Sequence, residues 1–336
     1  MIAFLVFMPQ RSTIYGKTKF GELSAMSIGI LVRSLIDSYQ SLPVQPFRPT
    51  VRSIYRLFQR GMQGRQSIET IDGVRFDLDL SEMIESALYY YGAFEKETKA
   101  ALNELCRPGF TVFDIGANIG AHTLFLGTRV QPGGQVFAFE PATYAFTKLS
   151  RNLALNSSLP VRAFRLGLGT IKRENWATDV SCSWPVDKDF KRLPDQVMPN
   201  AYVRKDRIDI LPLDEFVKIH AITSLDLIKL DVDGHEIDVI KSGRDTIRRF
   251  KPVLLVEFCD FTLRAYGSSL MELYNELVNL GYEFFSLDLW EPFQVRAIAE
   301  LEQSKLDSVN VVAVHKDDDR EPVRARYPEI EARASS

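Results

Sequence analysis

The stretch Val112-Phe113-Asp114-Ile115-Gly116-Ala117-Asn118-Ile119-Gly120, followed by Val136-Phe137-Ala138-Phe139-Glu140-Pro141, sets the architecture of this chain. Each part begins with an apolar run that is typical of a buried strand. Gly116 and Gly120 permit a sharp turn and the close approach of a ligand, and Asn118 tolerates a left-handed backbone between them. The pattern predicts a strand, a turn, a helix and a second strand that ends in a carboxylate.

The turn differs from the dinucleotide-binding pattern G-x-G-x-x-G, in which backbone amides and a helix N-terminus hold a pyrophosphate. Asn118 replaces the middle glycine, and Asp114 lies where it would repel a phosphate. The ligand should therefore carry positive charge and no phosphate. S-adenosylmethionine fits, because its ammonium can pair with Asp114 and its ribose diol can bind both oxygens of Glu140. The alternative is an ordinary α/β turn that binds no ligand.

Further segments occur in a recognisable order: 113–120, Phe139-Glu140-Pro141, Asn152 with Asn156, Leu213-Asp214, and I-K-L-D-V-D-G-H-E at 228–236. With these motifs the chain resembles the FkbM family of S-adenosylmethionine-dependent methyltransferases, from about residue 72 to residue 315. Two features depart from the family. Asp233 stands where the family usually has Glu, which keeps the charge but shortens the reach, and the segment after Gly169 is longer and more irregular.

The resemblance implies an α/β fold, a Rossmann-like seven-stranded class I methyltransferase sheet with helices on both faces and an antiparallel last strand. An N-terminal helical and hairpin extension precedes it. The implied cofactor is S-adenosyl-L-methionine. The residues expected to bind it are Asp114, Gly116, Asn118, Gly120, Glu140 and Pro141.

The apolar periodicity predicts a hairpin at Asp72-Gly73 and helices at 81–91 and 94–105. Strands are then predicted at 111–116, 135–140, 161–168, 226–232, 252–258, 282–288 and 309–315, with helices at 120–129, 142–155, 213–220, 236–248 and 268–280. Such alternation is typical of a mainly parallel sheet that binds its ligand at the carboxyl ends of the strands. Residues 169–207 are expected to be a long irregular segment.

We predict three parts: an N-terminal helical extension at 1–66, the FkbM-type domain at 67–316 with an acceptor-side insertion at 169–207, and a charged tail at 317–336. A basic amphipathic helix at 51–62 can either pack on its own domain or associate peripherally with a membrane. No signal peptide and no integral membrane segment are expected. The oligomeric state cannot be read from the sequence.

Composition narrows the class of protein. The chain has 336 residues, of which 46% are hydrophobic and 25% charged, and its net charge is −3. This balance argues against a general nucleic-acid binder. Cys106, Cys182 and Cys259 are far apart and form no C-x-x-C pair. That spacing argues against disulfides and a zinc site, and it favours a reducing, cytoplasmic location.

The candidate catalytic residues are Asp231, Asp233 and His235, which follow the fourth strand of the predicted sheet. Methyl transfer to a hydroxyl needs close alignment of the two reactants and a base that takes the proton. Clustered carboxylates raise one another's proton affinity, and Lys229 can offset this by pairing with Asp231. Glu257 can orient the acceptor or, with the two aspartates, bind magnesium. We nevertheless expect no metal.

We therefore predict an O-methyltransferase that acts on a hydroxyl of a small molecule or carbohydrate, of glycan or polyketide type. The insertion should choose this acceptor, because Trp176, Trp184 and Tyr202 offer flat apolar faces for a sugar or macrolide ring. One alternative is a NAD(P)-dependent Rossmann oxidoreductase. The other is a catalytically decayed cofactor-binding or scaffold protein.

Overall fold

A computed structural model describes residues 66–181, 203–287, 292–293, 295–303 and 308–318. All of them fall within one compact unit, Ser53–Ser336. The helical patterns predicted within 1–66 and most of the charged tail lie outside the described residues. Trp184 and Tyr202 also lie outside them.

Twelve strands are formed by the described residues, and the hairpin at Asp72-Gly73 is present as predicted. The strands are β1 Gln66–Ile71, β2 Val74–Asp79, β3 Thr111–Ile115, β4 Gln135–Phe139, β5 Val161–Phe164, β6 Gly167–Leu168, β7 Arg173–Ser181, β8 Val203–Leu211, β9 Leu227–Leu230, β10 Val253–Phe258, β11 Tyr282–Ser286 and β12 Val309–His315.

Ten helices accompany the strands in the described part of the chain. They are α1 Met83–Tyr91, α2 Lys96–Leu105, α3 Ala121–Arg129, α4 Thr143–Ala154, α5 Leu213–Ile219, α6 Glu236–Ser242, α7 Arg244–Phe250, α8 Asp260–Ala265, α9 Leu270–Asn279 and α10 Val295–Gln303.

Seven strands form the central sheet, in the order β11-β12-β10-β9-β3-β4-β5. The strand β12 runs antiparallel to β10 and β11, and the other neighbours are parallel. The chain moves from β3 outward to β5, then returns to start β9 on the other side of β3. In open α/β sheets such a reversal creates a crevice at the carboxyl ends of the strands, where ligands bind.

Helices cover both faces of this sheet because its strands are apolar on both sides. On one face, Val112 and Leu255 pack with residues of α2 and α3. On the other, Phe113 and Leu254 pack with Phe216 of α5 and with residues of α6 to α10. The predicted fold, a seven-stranded class I methyltransferase sheet between two helical layers, is therefore confirmed.

The hairpin β1–β2 is fixed to the sheet by the two asparagines of the family motif. Asn152 is buried on α4, where its Oδ1 accepts from the Asp77 N–H at 2.8 Å and its Nδ2 donates to the Ile119 carbonyl at 2.9 Å. Asn156 accepts from the Arg75 N–H at 2.9 Å. One buried side chain thus ties β2 to the turn that follows β3.

Several predicted elements were wrong in extent. The predicted irregular segment at 169–207 contains β7 and the start of β8, which form a three-stranded sheet in the order β6-β8-β7. The predicted strand 161–168 is two strands, and the predicted helix 236–248 is broken at Gly243. A side chain on Gly243 would lie 2.3 Å from Leu213 Cδ2, so the backbone bends where α5 packs against it. The helix α8 precedes the one predicted at 268–280, and α10 was not predicted.

No helix in the described ranges combines the length and apolar character that a membrane span requires.

Gly116, directly after β3, lies against the segment that follows β9. Its φ is +86°, and a Cβ built there would lie 1.7 Å from the Asp231 carbonyl oxygen that follows β9. Gly109 has nearly the same φ, +88°, but a Cβ there meets nothing within 4 Å. The two glycines therefore have nearly the same φ but differ in the space available for a Cβ.

We expect Gly116→Ala to lower the free energy of unfolding by at least about 4 kcal/mol or to prevent folding, because two backbones must separate. The matched variant Gly109→Ala should cost only about 1–2 kcal/mol, the cost of a left-handed alanine. Urea unfolding of both variants measures the difference, and equal losses would contradict this account.

Candidate active site

A cavity of about 720 Å³ opens at the carboxyl ends of the central strands, where the strand order reverses. The residues that line it include those directly after β3, β4 and β9, together with Glu257 of β10. Of the residues predicted to bind cofactor or to act in catalysis, those that line the cavity are Asp114, Gly116, Asn118, Glu140, Pro141, Asp231, Asp233 and His235. Gly120 does not line it.

The turn after β3 has the backbone that its sequence predicts. Gly116, Asn118 and Gly120 have φ values of +86°, +47° and +92°. The N–H groups of Gly116 and Ala117 both donate to the Phe139 carbonyl, at 3.0 and 2.9 Å, which joins the turn to the end of β4. Gly120 packs against α4 instead of lining the cavity. A Cβ built there would lie 2.8 Å from Leu149 Cδ1.

Asp114 lies in the sheet beside the turn and is 1% exposed. Its Oδ2 accepts a hydrogen bond of 2.5 Å from the Thr123 hydroxyl of α3. Its Oδ1 is buried and has no hydrogen-bond partner among the described residues. A buried acceptor left unpaired costs free energy, so this oxygen is suited to a donor supplied by a ligand.

Glu140 follows β4 and is also buried. Its Oε2 accepts from the Asn118 N–H and its Oε1 from the Ala142 N–H, both at 2.9 Å. The pKa of Glu140 is raised to about 7. Burial is the main cause, the two amides oppose it, and the charges of Asp114 and Asp231 contribute to the rise. Both oxygens already hold one backbone donor, but each carboxylate oxygen retains a second lone pair that can accept from a hydroxyl.

Lys229 is a buried cation between carboxylates of neighbouring strands. It is 2% exposed, and its Nζ donates to Asp231 Oδ2 at 2.9 Å, as the sequence predicted. Burial lowers the pKa of Lys229, but the charges of Asp231, Asp114 and Glu95 more than offset this and hold it above its usual value. Lys229 therefore stays charged and is the cationic partner of Asp231.

Asp233 and Glu257 form no ion pair with a Lys or Arg in the described part of the chain. Burial raises the pKa of Asp233 well above its usual value, and the charges of Asp231, Glu236 and Glu140 add to this, while Lys229 opposes it. Burial and the charges of Asp231, Glu236 and Asp233 likewise raise the pKa of Glu257 well above its usual value. One carboxylate oxygen each of Asp231, Asp233 and Glu257 lies within 4.8 Å of the others. Such a group can share a proton or hold a divalent cation.

The strand predicted at 226–232 was too long, since β9 ends at Leu230, and Asp233 lies in a turn with a φ of +55°. Glu236 fixes this turn: its Oε1 accepts from the N–H groups of Val232 and Gly234, at 3.0 and 3.2 Å. Aspartate tolerates a left-handed backbone better than most residues, which gives a physical reason for Asp at position 233.

His235 lies at the edge of the cavity, with 44% of its side chain exposed. Its ring centroid is 4.0 Å from that of Tyr266, and its Nδ1 is 3.7 Å from Asp238 Oδ2. It is therefore placed among solvated groups, whereas Asp233 lies deeper.

One pair of cavity residues, beside the helices α2 and α3, was not predicted from the sequence. His122 of α3 is buried, and its Nε2 is 3.4 Å from Oε2 of Glu95, which precedes α2; both line the cavity. Asn310 of β12 donates to the Thr98 hydroxyl at 3.0 Å beside them. No sequence signal links Glu95 to His122, because their contact forms only in the tertiary structure.

The β6-β8-β7 sheet forms a further wall of the cavity. Trp176 and Thr178 of β7 and Ile208 of β8 line it. The guanidinium carbon of Arg173 lies 4.2 Å from the Trp176 ring centroid. Trp176 therefore lines the cavity, and its contact with the acceptor stays a prediction.

Comparison with known protein families matches residues 114–284 to the Methyltransferase FkbM domain. The match covers half of the chain, from the acid before the glycine turn to β11. The chain belongs to the FkbM methyltransferase family.

Three relatives of this family member illustrate the range of similarity. Methyltransferase 1 of Beauveria bassiana is 29% identical over 164 residues, 44% of this chain and 64% of the relative. The 2-O-methyltransferase NoeI of Sinorhizobium fredii is 26% identical over 166 residues, 46% of this chain and 65% of the relative. The hexuronic acid methyltransferase AglP of Haloferax volcanii is 25% identical over 166 residues, 48% of this chain and 61% of the relative. Less than two thirds of each of these relatives is therefore matched.

We expect Lys229→Met to lower the free energy of unfolding at neutral pH by about 3–5 kcal/mol, because it leaves the half-buried Asp231 unpaired and the buried Asp114 without a neighbouring cation. The deficit should shrink in acid, where carboxylates bind protons and need no cation. The control is Lys172→Met, which removes an exposed ion pair with Glu215 and should change stability little. Urea unfolding at two pH values tests this. A Lys229 deficit that is as small as the control's would contradict it.

Proposed function

We propose that the protein is a S-adenosyl-L-methionine-dependent O-methyltransferase that methylates a hydroxyl group of a small molecule or carbohydrate. Membership of the family supports methyl transfer. The single observation that carries the cofactor assignment is the buried, unpartnered Oδ1 of Asp114 beside the glycine turn. The names of two relatives, a 2-O-methyltransferase and a hexuronic acid methyltransferase, support oxygen chemistry and a carbohydrate acceptor.

The residues around the turn fit this cofactor. The ammonium of its methionine part is a donor for Asp114 Oδ1, and the ribose hydroxyls are donors for the remaining lone pairs of Glu140. Gly116 and Pro141 both line this part of the cavity. When bound, S-adenosylmethionine supplies an electrophilic methyl group and a neutral thioether leaving group.

The chain's own task is then to align the acceptor and to take its proton. Asp233 is the best candidate for the base, because burial and neighbouring carboxylates raise its pKa well above its usual value, which makes it a stronger proton acceptor. Asp231 is less suited, since its carboxylate is already engaged in an ion pair with Lys229. His235, at the rim, is the next candidate.

Other features of the proposal remain predictions. We expect no metal, although the oxygens of Asp231, Asp233 and Glu257 offer an alternative use as cation ligands. We also propose a cytoplasmic location, which the unpaired thiols of Cys106 and Cys259 support. The acceptor is the expected partner, and nucleic acid is not.

The two rival functions are weaker. A NAD(P)-dependent oxidoreductase would place a pyrophosphate at the turn, beside the unpartnered oxygen of Asp114, where it would be repelled. A decayed cofactor-binding protein would not need the raised pKa values of Asp233 and Glu257, because such values cluster at working sites.

Calorimetry tests the proposed function directly. We expect S-adenosylmethionine and S-adenosylhomocysteine to bind, and NAD to give no measurable heat. Hydroxyl donors favour ionised Glu140, so binding should release a proton below pH 7. The affinity for S-adenosylhomocysteine should therefore rise with pH toward about 7, by up to about tenfold per unit, and then level off.

The control for this pH dependence is Glu140→Gln, which should weaken binding by about 1–3 kcal/mol and remove the rise. Binding of NAD without either sulfur ligand would overturn the proposed function. A pH dependence that persists in Glu140→Gln would place the titrating group elsewhere.

A separate prediction concerns the base. Asp233→Asn should lower turnover by about 10²–10⁴-fold while the affinity for S-adenosylhomocysteine changes little, because a base acts in the transition state. The control Asp245→Asn changes an aspartate whose side chain is 90% exposed and should have no effect. Single-turnover methyl transfer and calorimetry separate the two quantities. Loss of cofactor binding alone would assign Asp233 to the cofactor pocket instead.

A further inference from the structure

Charge is distributed unevenly around the cavity. The lining carboxylates are Glu95, Asp114, Glu140, Asp231, Asp233, Asp238 and Glu257, and they gather at the carboxyl ends of the strands or beside them. Lys229 is among them and is already paired with Asp231. The other Lys or Arg side chain that lines the cavity in the described residues is Arg173, which lies on the β7 wall.

Arg173 has no anionic partner in the described part of the chain. It is half-buried, and its guanidinium carbon lies 4.2 Å from the centroid of the Trp176 ring. The adjacent Lys172 is exposed and instead pairs with Glu215 at 2.9 Å. An arginine that faces a cavity without a counter-ion is suited to an anionic group of the ligand.

The contact with Trp176 makes Arg173 a better receptor for a planar oxyanion. A guanidinium held over an aromatic face loses conformational freedom, but its N–H donors remain directed outward in a rigid fork. That fork matches the two oxygens of a carboxylate. Thr178, two residues beyond Trp176 on the same side of β7, also lines the cavity and adds a hydroxyl.

The position of this wall fixes how an acidic ligand would lie. Thr170, in the connection that leads into β7, has its hydroxyl 3.5 Å from Asp238 Oδ1 of α6, so the wall adjoins the helix that follows Asp233. The carboxylate end of the cavity repels an anion, and Arg173 attracts it. One ligand can therefore place its acid group at Arg173 and a hydroxyl near Asp233.

We propose that the methyl acceptor is an acidic saccharide whose carboxylate binds Arg173 and whose ring packs near Trp176. This inference rests on the proposed function and narrows its acceptor. A carboxylate is favoured over a phosphate because one arginine satisfies a single negative charge, whereas a dianion calls for more donors in a cavity rich in carboxylates. The flat indole suits the C–H face of a pyranose ring.

The test uses two probes that differ at one carbon, methyl β-D-glucopyranosiduronate and methyl β-D-glucopyranoside. Their affinities for the full chain saturated with S-adenosylhomocysteine are measured by ligand-observed NMR titration. We expect the glucosiduronate to bind at least about tenfold more tightly. Arg173→Gln should remove this preference and Arg173→Lys should keep part of it, since lysine retains the charge but not the fork.

The control variant Lys172→Gln should retain the full preference, and all variants should keep the wild-type melting temperature and affinity for S-adenosylhomocysteine. Equal binding of the two probes overturns the inference, as does a preference that survives in Arg173→Gln. Failure of both probes to bind while S-adenosylhomocysteine binds also overturns it and leaves the cofactor assignment standing. Failure of S-adenosylhomocysteine to bind would instead overturn the proposed function.

Discussion

The carbonyl oxygen of Asp231 occupies the space where residue 116 would otherwise carry a side chain. This contact brings the ends of β3 and β9 together at the point where the strand order reverses. The turn at Gly116 and the carboxylates that follow β9 therefore contact each other, and the position of each depends on the other. The cavity depends on this approach, because the residues expected to hold the cofactor and those expected to act on the acceptor leave the sheet here.

The carboxylates of this site need nearby cations or N–H donors to offset their negative charge. Lys229 pairs with Asp231, while backbone N–H groups donate to Glu140 and Glu236. Burial still raises the pKa values of Glu140 and Glu236, and it raises those of Asp233 and Glu257 well above their usual range. Carboxylates of the same two residue types thus differ in proton affinity because their surroundings differ. Residue types alone do not predict these differences.

Much of the fold follows from local sequence, because apolar strands, the turn at Asn118 and the hairpin at Asp72-Gly73 each carry a strong short-range signal. The strand β7 was missed since Arg173–Ser181 is largely polar and its partner β8 is distant in the chain. The break at Gly243 depends on packing against Leu213. The contact of His122 with Glu95 joins two helices and forms only in the tertiary structure.

The hydrogen bond from Asn310 to Thr98 joins residues that are 212 positions apart, one in the last strand and one in an early helix. Glu95, one turn before Thr98, lines the cavity, so both ends of the domain meet at its wall. We therefore expect α2 and β12 to open together, so that their amide hydrogens exchange as one unit. A ligand in the cavity should slow the exchange of both. Truncation before β12 would therefore open the cavity as well as the sheet.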